Sequence, residues 1–96
     1  MAANRVDIAG WFDEGVRQRA HYLIVACDTY DWEDYPIYVG AEDDFYPIYD
    51  AHNGQNFLQV MEVYDLRGDK TIQMAEYRAI HLPTRPKPAS TERDNG

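Results

Sequence analysis

Apolar and polar positions along this 96-residue chain fall into blocks that predict six elements. After Asn4, Ile8, Trp11 or Phe12, and Val16 recur at helical spacing, and Asp7 stands three residues past Asn4, where it favours a helix N-terminus. Gly10 and Gly15 each weaken that first helix by about 1 kcal/mol relative to Ala. The run His21 to Cys27, HYLIVAC, is short, apolar and β-branched, which predicts a buried strand. Asp28 to Tyr35 reads as a polar turn region. Pro36 then opens a second strand, Ile37 to Gly40, at an edge or first position where its missing N–H is not needed. These two strands are expected to pair as a hairpin.

Glu42, Asp43 and Asp44 resemble the acid-rich first turn of a helix, Pro47 fits only inside that turn, and Asn53-Gly54 is a helix stop. A short helix is therefore predicted from Asp44 to His52. Asn56 to Leu66 is rich in Val and aromatic residues and predicts a third strand, with Arg67-Gly68 as a turn. Asp69 can cap a last helix in which Ile72, Ala75, Ala79 and Ile80 share a face. From Pro83 to Gly96 the chain has three prolines and no periodicity, which predicts a disordered tail. The expectation is an α+β fold in one domain, residues 1–82: a small three-stranded, mainly antiparallel sheet in the order α-β-β-α-β-α, with helices packed on one face. Such a sheet leaves two edges and a solvent face, and a homodimer is one way to cover them.

Charge changes this picture more than composition does. Seventeen Asp and Glu against nine Lys and Arg give a net of -8, which argues against direct binding of nucleic acid. The balance is also local: between Arg19 and Arg67 there are ten acids and no Lys or Arg. Seven aromatics, Tyr30, Trp32, Tyr35, Tyr38, Phe45, Tyr46 and Tyr49, lie between Asp28 and Asp50 in this interior. No apolar run is long enough to span a membrane, no secretory leader pattern follows Met1, and the single Cys27 excludes an internal disulfide; a cytoplasmic protein is expected.

The acids admit several chemistries. Asp28, Asp31, Glu33 and Asp34 could offer oxygen ligands to Mg²⁺ or Ca²⁺, but their spacing departs from a calcium loop and no Gly supplies its central turn. Acids in short loops more commonly bond their own turn backbone. Cys27 with His21, His52 or His81 is the one nucleophile-and-base combination, and a free Cys ending an apolar run is more often core. No phosphate-binding loop, dinucleotide fingerprint or nucleophile elbow is present, so the expectation is a non-enzymatic protein without a cofactor or metal. What remains is an acidic, aromatic surface suited to a basic protein groove, where it would mimic DNA by imitating the phosphate path, with Asp28, Asp31, Trp32, Glu33, Asp34, Tyr35, Glu42, Asp43, Asp44 and Tyr46 as candidate partner-binding residues. A small metal-dependent or enzymatic accessory protein using loop 28–34, and a structural homodimer, are the alternatives.

The stretch HYLIVACDTYDWEDYPIYV, with VMEVYDL at Val60 to Leu66, resembles small phage and bacterial proteins that carry a motif close to CDT-aromatic-D-x-EDYP-x-YV. The similarity covers about two thirds of the chain, and brings no activity or catalytic residue with it. It implies an accessory protein of a phage or mobile element. In that setting small acidic proteins include inhibitors of host defence nucleases, of the anti-CRISPR and anti-restriction kind, so the expected partner is the nucleic-acid-binding site of a host defence complex.

Overall fold

A computed structural model describes residues 4–84. Its elements follow the expected order: α1 (Arg5–Arg17), β1 (Tyr22–Asp28), β2 (Glu33–Val39), α2 (Phe45–Ala51), β3 (Leu58–Asp65) and α3 (Lys70–Met74). Asn4 caps α1 as its sequence suggests, its Oδ1 accepting from the Asp7 N–H at 2.8 Å while Asp7 reaches back to the Asn4 N–H. Ile8, Phe12 and Gly15 form the buried stripe; Val16 faces solvent.

β1 is the middle strand, antiparallel to β2 on one side and β3 on the other. Flanked on both edges, it is buried from Leu23 through Cys27, as expected of a continuous apolar run. Alternation along β1 sends Leu23 and Val25 to one face, against Ile8 and Phe12 of α1, with Tyr64 and Leu66. Ile24 goes to the other face, with Val39, Val60 and Val63, and there Phe45, Ile48 and Tyr49 of α2 pack over it. The helices thus divide between the faces, α1 and α3 on one and α2 on the other, where a single helical face was expected. The reason is that all three strands carry apolar side chains on both sides, and a bare second face would leave Ile24 and Val63 in water.

β2 begins four residues earlier than its apolar stretch suggests, because Glu33, Asp34 and Tyr35 pair with Asp28, Cys27 and Ala26. Pro36 sits inside this strand, tolerated because β2 is at the sheet edge. The last helix is shorter than its pattern. Asp69 caps it, accepting from the Ile72 N–H at 2.9 Å, but α3 ends at Met74 and the chain then runs beside β3. There Val63 N–H donates to Ala79 O and His81 N–H to Val63 O, both at 2.9 Å. Completing the edge of β3 and burying Ala79 outweighs another helical turn, in which Glu76, Tyr77 and Arg78 offer no apolar face. Pro83, expected in the tail, is held by Tyr46, whose Oη donates to Pro83 O at 2.5 Å. The rest of the expected disordered tail, 85–96, lies outside the described residues.

The two glycines of α1 play opposite parts. A Cβ at Gly15 would stand 2.5 Å from Leu66 Cδ1 and 2.9 Å from Tyr38 Cε1, so the helix approaches the sheet through the missing side chain. Tyr38 is fixed there, donating from Oη to Trp11 O at 2.9 Å. At Gly10 nothing lies within 4 Å. Gly15→Ala is therefore expected to destabilise by about 1–2 kcal/mol, overpacking outweighing the propensity gain, while Gly10→Ala stabilises by about 1 kcal/mol. Urea melts of the two variants check this; a stabilising Gly15→Ala would contradict the close approach.

Candidate partner-binding surface

The ten candidate residues fall into two groups, because β2 separates them. Asp28, Asp31, Trp32, Glu33, Asp34 and Tyr35 belong to the β1–β2 turn and the start of β2, while Glu42, Asp43 and Asp44 follow its end and Tyr46 lies in α2. Seven strand residues of about 3.3 Å each put the two acidic groups roughly 20 Å apart. The structure does not gather them into one cluster.

Within each group some acids serve the local fold. Asp28 Oδ1 accepts from the Tyr30 N–H at 2.9 Å, and Asp43 Oδ2 from the Gly40 N–H at 2.8 Å, each closing a turn. Asp34 faces Cys27 across the β1–β2 ladder. Burial first, then Asp34 and Asp28, push the Cys27 thiol up, so it stays protonated and is a poor nucleophile. Asp31, Glu33, Glu42 and Asp44 are exposed.

The aromatics divide more sharply. Phe45, Tyr46 and Tyr49 pack on one another with centroids 4.8–5.7 Å apart, and Tyr22 joins them at 5.0 Å from Phe45. The candidate Tyr46 thus spends its ring on this cluster and its hydroxyl on Pro83. Tyr35 is half-buried against His52. In the turn, by contrast, Tyr30 and Trp32 are 76% and 64% exposed. Sequence reasoning missed their neighbour Phe57, 68% exposed, because it reads as the start of a strand. Instead Phe57 has φ +63° and Trp32 φ +56°, left-handed conformations that bulky residues seldom adopt. Thr29 joins the two loops: its N–H and its Oγ1 both donate to Phe57 O, at 2.7 and 2.9 Å.

Other chemistry-bearing groups are engaged elsewhere. A groove of about 420 Å³ at the α1 N-terminus is lined by Arg5, Asp34, Glu62 and Arg78 over Ile8 and Val25. Its guanidinium groups are occupied, Arg5 by Glu62, Tyr64 and two carbonyls, and Arg78 by Met61 O at 2.7 Å. Among the described residues no three His, Cys, Asp or Glu come together as a metal would need, and no helix is long and apolar enough to cross a membrane.

Burial, followed by the Glu62 carboxylate, pushes the Tyr64 hydroxyl well above its ordinary 10.0, and burial also raises Tyr35 and Tyr38. Raised folded-state values mean the contribution is whole below pH 10.0 and is lost above it, where the unfolded chain releases protons the fold retains. An absorbance titration of the eight tyrosines is expected to show a late group that ionises only as the fold opens. Ionisation of all of them together near pH 10.0, with the fold intact, would contradict this burial.

No family model matches the chain, and neither a curated protein nor a solved structure is similar to it.

Proposed function

We propose that the chain is a non-enzymatic binding protein that docks an acidic, aromatic surface on a basic protein surface. The observation that carries this is the exposure of Tyr30 and Trp32 beside the exposed Asp31 and Glu33, in an interior span from 20 to 66 that contains no Lys or Arg. Exposed rings bury large area at low entropic cost, and like-signed charge around them steers association toward the opposite charge. The resemblance to phage proteins supplies the setting: an inhibitor that occupies the nucleic-acid-binding site of a host defence nuclease, of the anti-CRISPR or anti-restriction kind.

The spacing of the acids favours docking by a compact end of the molecule over imitation of a continuous phosphate path. Metal-dependent use of Asp28, Asp31 and Asp34 has no converging donor set to support it among the described residues. Capture of a partner from host lysate tests the reading. The partner is expected to be released by high salt and by added DNA; a complex indifferent to both would contradict it.

A further inference from the structure

We infer that the docking surface is the tip formed by loops 28–33 and 53–58, and that it selects arginine side chains on the partner protein; this rests on the binding reading above. The two loops leave the sheet side by side because Asp28 pairs with both Glu33 and Leu58. The double bond of Thr29 to Phe57 O fastens them. Tyr30 and Phe57 meet there with ring centroids 5.9 Å apart, and Trp32, two residues beyond Tyr30 in the same turn, is exposed as well. Asp31 and Glu33 flank Trp32 in the sequence and are exposed, and neither loop contains a Lys or Arg that could fill the site from within.

Rings beside carboxylates suit a guanidinium better than an ammonium. Arginine stacks its plane on an aromatic face while its N–H fork pairs with a carboxylate; lysine is a compact, strongly hydrated charge that does only the second well. The opposite end of β2 lacks this pairing. Glu42 and Asp44 are exposed there, but the adjacent rings of Phe45, Tyr46 and Tyr49 are turned onto one another. The tip also keeps two large rings at positive φ, where glycine would be easier for the backbone.

An NMR titration with an oligo-arginine peptide, an oligo-lysine peptide of the same length and a single-stranded oligonucleotide tests this on the full chain. Amide shifts are expected at 28–33 and 53–58, with the Trp32 indole, and tighter binding of arginine than of lysine. Trp32→Gly and Phe57→Gly are expected to cut arginine-peptide affinity by about tenfold, the scale of an interface hot spot, while the melting temperature stays level or rises. Shifts centred on 41–44, equal affinity for both peptides, or binding of the oligonucleotide alone at the tip would each overturn the inference. The first two leave the broader binding reading standing. No binding of either peptide at low salt would overturn both.

Discussion

Replacing Arg5 by Ala is expected to lower the unfolding free energy by about 2–3 kcal/mol, because one guanidinium joins three elements. Its Nη1 donates to Tyr64 Oη at 3.0 Å and to Glu62 Oε1 at 3.3 Å, which ties α1 to β3. Its Nη2 donates to Met74 O and Glu76 O at 3.2 and 2.9 Å, closing the end of α3. Tyr64 is fully buried and passes its own proton toward Glu62 at 2.5 Å, so loss of Arg5 leaves that carboxylate without its cation. Hydrogen bonds to charged groups are worth about 1.5–3 kcal/mol each when sheltered. The Arg5 side chain is 45% exposed, so solvent screening reduces the sum considerably. Arg5→Lys restores little, because a single ammonium cannot reach both pairs of acceptors. Urea melts read the effect, and a loss below about 0.5 kcal/mol, the scale of an ordinary surface substitution, would contradict this role.

Reversing the exposed acids is the second large effect. Asp31→Lys and Glu33→Lys together are expected to weaken partner binding by about tenfold, taking roughly 0.7 kcal/mol for each reversed charge, while Glu42→Lys and Asp44→Lys at the far end of β2 leave it nearly unchanged. All four positions are exposed and none belongs to the core, so the fold should survive. Asp44 stands at the N-cap of α2 without a side-chain bond, and its reversal costs that helix only about 0.5 kcal/mol through the dipole.

What was legible in the sequence was whatever neighbouring residues decide. Asn4 with Asp7, and Asp69 ahead of Ile72, announce the starts of α1 and α3 because each cap is closed within three residues. The apolar run of β1 announces a central strand. Distant contacts decided the rest. The end of α3 depends on Val63, more than ten residues away, pairing with the stretch around Ile80. The start of β2 depends on the β1 ladder accepting Glu33 and Asp34. α2 takes the second face because Ile24, Val39 and Val63 converge there from separate strands.

The proposed binding surface follows the same division. Its acids and the rings of Tyr30 and Trp32 could be picked out from composition alone. Phe57 could not, since its pattern is that of a strand and its positive φ comes from the return of the chain toward Thr29. Likewise nothing local distinguishes the packed ring of Tyr46 from the exposed ring of Tyr30. Only the placement of α2 on the sheet does so.

The central claim, that exposed acidity and aromatic rings dock this chain on a basic protein, is tested most directly by one comparison. The affinity of the captured partner is measured for the native chain and for the Asp31→Lys, Glu33→Lys variant across a range of ionic strength. Affinity that falls steeply with salt for the native chain, and that is both weaker and nearly salt-independent for the variant, is the predicted result. Equal affinity and equal salt dependence for the two chains would contradict it.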